Sequence, residues 1–136
     1  RLALILFALL GLPACAHPEP QPIKSIYWSD GDSGRLTLES GEVIKFRLKD
    51  VDAPETGGVG AIGGAKCEAE RVLGFEAKEF MNRHDAALAT QLRSSHGLDR
   101  FDRLLIDLPQ LTDLAIQAGH LRPWDYDAGN PKPDWC

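Results

Sequence analysis

The chain has 136 residues, 43% hydrophobic and 26% charged, enough for one folded domain and unlike a disordered chain. Its net charge of -5 excludes a broad basic field for binding phosphate. Any phosphate chemistry must therefore rest on a few placed cations.

The run from Leu2 to Leu12 is apolar throughout, too short to span a bilayer and suited to the core of an export signal. Ala14-Cys15-Ala16 fits a small-residue cleavage site, so residues 1–16 are expected to be a signal peptide. Residues 12–15 also resemble a lipobox in which Cys15 would be lipidated, although Pro13 fits it poorly. A buried core helix is the alternative for this run. Residues 17–22, "HPEPQP", read as a Pro-rich linker, and residues 23–136 as the domain. In an exported, oxidising setting Cys67 and Cys136 are the two cysteines left to pair, so a disulfide between them is expected; two unpaired thiols are the alternative.

Strands are expected at 26–28, 36–38 and 43–48, the last two as a hairpin punctuated by Ser40-Gly41. Alternation puts Ile44, Phe46 and Leu48 on one face of the third strand and Val43, Lys45 and Arg47 on the other. Residues 56–66 lack periodicity and read as a flexible loop. The spacing of Ala69, Val72, Leu73, Ala77, Phe80 and Met81 predicts a helix over 67–83. Residues 86–93 and 103–108 read as strands flanking a turn at "SSHGLD", and 111–119 as a short helix stopped by Gly119. The order β β β α β β α predicts an α+β domain, a five-stranded barrel of the OB type with two or three flanking helices.

Two motifs do not carry the function they suggest. Gly58, Gly60 and Gly63 spell G-x-G-x-x-G, but "DAPET" precedes them and no second βαβ unit follows. "DGDSGRLTLESG" opens like an EF-hand, yet Arg35 stands where its glycine belongs and Gly41 where its glutamate belongs. His17, His84, His96 and His120 lack metal-ligand spacing.

The chemistry-bearing stretch is "FRLKDVDAPE", residues 46–55. Pro54 restrains its own φ and keeps Ala53 extended, which turns the chain sharply. Such a turn can aim Asp52 and the Ala53 carbonyl at one point and Glu55 at the next. Together with Asp32, these oxygens suit a hard cation, Glu55 suits proton transfer from water, and Arg47 suits a phosphate. A salt-bridged turn with no catalytic role is the alternative.

The segments "DGDSGRLTL", "FRLKDVDAPE" and "DRFDRLLIDL" look like the three signature segments of the staphylococcal (thermonuclease) nuclease family, in order, over residues 24–122. The resemblance implies an OB-fold phosphodiesterase that uses Ca2+ and takes DNA or RNA as substrate. It implies Asp32, Asp52 and the Ala53 carbonyl as calcium ligands, Glu55 as general base, Arg47 and Arg103 as catalytic arginines, and Asp30 as an acid beside the metal. Some members share the "AKC" helix start and a terminal "WC", which supports the pairing of Cys67 with Cys136. The chain departs from the pattern at Asp102, where glycine is usual and where an acid could engage Arg103; Arg100 is a substitute at the wrong spacing. Phe101 replaces a tyrosine. The family's stacking tyrosines have no clean match, Trp124 and Tyr126 being candidates for stacking or for packing. The expected protein is an exported monomer, periplasmic or secreted, without a stable protein partner and attached to a membrane only through a lipidated Cys15. The rival expectations are a non-catalytic OB module that binds single-stranded nucleic acid and an envelope protein with a degenerate site.

Overall fold

The computed structural model describes residues 19–136. The expected signal at 1–16 with Cys15, and residues 17–18 of the expected linker, lie outside the described residues. In chain order the elements are β1 (Gln21–Trp28), β2 (Ser33–Leu38), β3 (Val43–Leu48), β4 (Val51–Asp52), α1 (Glu68–Leu88), β5 (Gln91–Leu92), β6 (Ser95–Leu98), β7 (Leu104–Ile106), α2 (Pro109–Gln117) and β8 (Arg122–Pro123). The class is α+β, with two helices.

β1, β2 and β3 form an antiparallel meander in which Trp28, Leu36, Leu38, Phe46 and Leu48 are buried while Lys45 points outward. Arg47 lies on the outer face with Lys45, as the alternation predicts. β3 then pairs in parallel with β7. A parallel pair needs a long crossover, and residues 49–103, containing α1, supply it. The sheet order is β5-β1-β2-β3-β7-β6, with β4 and β8 paired separately. Among the described residues this hydrogen-bonded ladder does not close into the expected five-stranded barrel. Its two edge strands, β5 and β6, are separated in the chain only by Arg93 and Ser94. The core gathers Trp28, Phe46, Met81, Ile106 and Leu111, with Trp28 edge-on to Phe46 at 5.2 Å.

Several expected elements are redrawn. β1 begins inside the expected linker because Gln21 and Pro22 pair with β5; a proline is tolerated at such a strand start. The helix runs on to Leu88, since the alanines at 86 and 87 are strong helix formers. Of the strand expected at 86–93, only β5 remains. The turn expected at "SSHGLD" is mostly β6, paired with β7. The buried face of α1 is Glu70, Gly74, Ala77, Phe80 and Met81, whereas Val72 and Leu73 are 50% and 36% exposed. Among the described residues no helix is long and apolar enough to cross a membrane.

Candidate active site

The link between β1 and β2 is built by Asp30. Its Oδ1 accepts the N–H groups of Asp32 and Ser33 at 3.0 and 2.9 Å and the Ser33 hydroxyl at 2.9 Å. This turn buries Asp32, whose Oδ2 accepts the Ala53 N–H at 2.9 Å and faces Arg47 Nη1 at 2.9 Å. One carboxylate oxygen thus joins the start of β2, the end of β3 and the turn after β4. Arg47 continues the join: its Nη2 donates to the Val51 carbonyl at 3.3 Å and lies 3.9 Å from Asp52 Oδ1.

Asp52 is fully buried. The Trp135 indole N–H donates to its Oδ2 at 2.8 Å, while Oδ1 has no hydrogen-bond partner among the described residues. Two cations face that oxygen without closing on it, Lys132 at 3.8 Å and Arg47 at 3.9 Å. Lys132 also donates to Glu55 Oε1 at 3.0 Å. The backbone of Glu55 is held from behind, because Glu70 of α1 accepts its N–H at 3.4 Å. α1 comes this close because residue 74 is glycine: a Cβ there would lie 2.5 Å from the Glu55 carbonyl oxygen and 2.9 Å from that of Pro54.

Charge and burial oppose each other here. Burial, and then the Asp30 carboxylate, push the Asp32 carboxyl well above the ordinary range, against the pull of Arg47. Burial raises Asp52 against the Trp135 N–H and Lys132, and raises Glu55 against its hydrogen bond from Lys132. Burial acts to lower Arg47 and Lys132, but the surrounding carboxylates outweigh it and hold both above their ordinary values.

Arg103 arrives from the turn between β6 and β7. Its Nε donates to Asp99 Oδ2 at 2.8 Å, and its guanidinium lies 5.3 Å from the Phe101 ring centre. Asp99 Oδ1 also accepts the N–H groups of Phe101 and Arg103. Burial acts to raise Asp99, but these donors and the guanidinium hold it below the ordinary range. The acid that engages Arg103 is therefore Asp99, and not the neighbouring Asp102. Asp102 is exposed and has φ 59°. That is left-handed backbone, where aspartate is tolerated and glycine is at ease. The turn thus accommodates an aspartate at this position.

Asp32, Arg47, Glu55, Arg103, Trp124 and Lys132 line one cleft of about 760 Å³. Trp124 is half-buried, 5.9 Å from the Arg47 guanidinium, and Tyr126 is 66% exposed. Arg100 lies over Phe101 at 4.8 Å on the rim. Neither the protein-family models nor the curated proteins yield a match to this chain.

The residues expected to hold a cation, Asp32, Asp52 and Ala53, are adjacent. Among the described residues no three His, Cys, Asp or Glu side chains close on one point. A cation here would take the two carboxylates and a backbone oxygen, a donor set that suits a hard ion such as Ca2+. Asp52 Oδ1, buried and without a hydrogen-bond partner among the described residues though faced by Lys132 and Arg47, fits that use.

The tail supplies what sequence reading missed. Cys136 is bonded to Cys67, the N-cap of α1, as expected. The strap this closes brings Lys132 and Trp135 onto Glu55 and Asp52. Glu70 and Asp99 were missed as well. The one signal for the tail pair was the disulfide itself, since it places Trp135 beside the start of α1.

Proposed function

We propose that the protein is a phosphodiesterase that hydrolyses DNA or RNA with Ca2+, as its resemblance to the thermonuclease family implies. The observation that carries the reading is that Asp32, Arg47, Glu55 and Arg103, drawn from three segments of the sequence, line a single cleft, with the buried Asp52 3.9 Å from Arg47. Asp32, Asp52 and the Ala53 carbonyl would hold the ion, which when bound polarises a phosphoryl oxygen. Glu55 takes a proton from water, whose oxygen forms the new bond to phosphorus. The bond to the sugar oxygen breaks, and that oxygen is protonated from solvent. Arg47 and Arg103 hold the phosphate oxygens and meet the negative charge that builds on them.

The fold reading goes with it. We take β5 and β6 as two halves of one bent strand, since residues 91–98 pair with β1 at one end and with β7 at the other. On that view the parallel β3–β7 pair and the bent strand make a five-stranded barrel of the OB type. An exported monomer is the matching cellular reading, with the disulfide in its favour.

One observation favours a second reading, a degenerate site that binds nucleic acid without cutting it. Glu55 is engaged by Lys132, and Arg103 by Asp99. Cleavage of labelled single-stranded DNA and RNA by the full chain, in calcium and then in EDTA, separates the two. The expected result is calcium-dependent cleavage that Glu55→Gln slows by roughly 10²–10⁴. Cleavage unchanged by Glu55→Gln would remove Glu55 as base. Binding with no cleavage at any calcium level would establish the second reading.

A further inference from the structure

The cations around the cleft are not equally committed. Arg47 spans Asp32, Asp52 and the Val51 carbonyl, and its side chain is only 15% exposed. Lys49 is held by both oxygens of Asp50 and lies 3.7 Å from Asp127. Arg103 is tied through its Nε to Asp99. Lys132 has one close partner, Glu55 at 3.0 Å, with Asp52 Oδ1 further off at 3.8 Å, and its side chain is 37% exposed.

The backbone beneath Lys132 is firmly held. Pro131 and Pro133 flank it and restrict φ on either side. Trp135 is buried, hydrogen-bonded to Asp52 and covered by the Arg122 guanidinium at 3.9 Å, and Cys136 is bonded to Cys67. Trp124 Nε1 donates to the Asn130 carbonyl at 2.9 Å. The stem of Lys132 is thus rooted while its ammonium, on a flexible four-carbon chain, can change partners.

We propose that Lys132 is a phosphate-binding residue, parked on Glu55 in the free protein and transferred to a backbone phosphate of a single-stranded nucleic acid when one enters the cleft. The inference takes its ligand class from the nuclease reading. The exchange has a consequence for Glu55. While Lys132 sits on Oε1, that oxygen is occupied; when a phosphate takes the ammonium, Oε1 is released to water. Substrate arrival and availability of the base are then coupled through one side chain. In a cleft lined by Asp30, Asp32, Asp50, Glu55, Asp99 and Asp127, a cation that can be handed to the substrate answers the repulsion an entering phosphate meets.

The test is fluorescence anisotropy of a labelled single-stranded oligothymidylate with the disulfide-bonded full chain in EDTA, across a range of salt. Lys132→Met is expected to bind roughly tenfold more weakly at low salt. Its slope of log affinity against log salt should be shallower by about 0.7, the loss of one phosphate contact on a single strand. Lys132→Arg should restore both. Lys24→Met, outside the cleft, should change neither. In calcium, Lys132→Met should raise KM about tenfold with kcat little altered. Unchanged affinity and slope in Lys132→Met would overturn the proposal. So would a raised kcat at constant KM, which would make Lys132 a plug, and so would an absence of binding by the wild-type chain. A slope that responds to Lys132 in a chain that cuts nothing would retain the proposal and remove the nuclease reading.

Discussion

Asp32 and Asp52 are aspartates placed where aspartate is uncomfortable. Both are buried, and burial is the largest influence raising each carboxyl above the ordinary carboxylate range. In the unfolded chain both titrate normally, so between the ordinary and the raised values the folded state binds more protons. Stability in the absence of metal must therefore fall as pH rises through that window, and the loss is absent below it. Asp32→Asn has no such proton to lose. Thermal unfolding in EDTA should show the melting temperature of the wild type declining more steeply with pH above about 4 than that of Asp32→Asn. Calcium at neutral pH should raise the melting temperature of the wild type and leave that of Asp32→Asn nearly unmoved. Parallel pH curves for the two proteins would mean that Arg47 fully compensates Asp32.

At the scale of elements, α1 decides where Glu55 sits. Gly74, which costs an isolated helix about 1 kcal/mol relative to alanine, is explained by the Pro54 and Glu55 carbonyls packed against it. Gly74→Ala would ordinarily stabilise a helix. Here the added carbon meets backbone, so the expected sign is reversed: a loss of about 1–3 kcal/mol on thermal unfolding. On the proposed nuclease reading, displacement of Glu55 should lower kcat by about 10–100-fold. A gain in stability would show that the helix and turn separate freely. The same element shows what is legible in a sequence. The β2–β3 hairpin follows from strict alternation, and so does the outward face of Arg47. The far end of α1 does not, because "AALATQL" alternates weakly while its alanines favour helix. Nor does the inner face of α1, where Glu70 and Gly74 take positions that apolar spacing assigned to Val72 and Leu73. Those two positions face a turn with a backbone to hold, so a small residue and a hydrogen-bond acceptor replace large apolar ones. Asp99 is equally hidden, being one acid among several until the β6–β7 turn selects it.

Over the whole molecule, the site is assembled by a strap that has almost no regular structure of its own. Residues 122–136 read as an irregular tail, yet they carry Trp124 to the cleft, Lys132 to Glu55 and Trp135 to Asp52. What holds them is the bond between Cys136 and Cys67, which closes a sequence separation of 69. A loop of that length restricts the unfolded chain by about 4 kcal/mol on the chain-entropy account. Its loss in the folded state is local, because the β4–β8 pair still anchors the start of the strap while Trp135, next to Cys136, loses its tether. Reduction of the native protein should therefore lower the unfolding free energy by about 2–4 kcal/mol while leaving the β1–β2–β3 meander folded at room temperature. Calorimetry of the oxidised and reduced chains, with circular dichroism to check that the reduced chain is folded, measures the first. Fluorescence of Trp135 against a Trp135→Phe control shows whether the strap comes free, since its release exposes an indole that is 6% exposed when bonded. If the reduced chain loses stability but keeps the buried indole, then apolar packing and the indole N–H to Asp52 hold the strap. The disulfide would then act only on the unfolded chain, and the geometry around Asp52 and Glu55 would not depend on the redox state of the compartment.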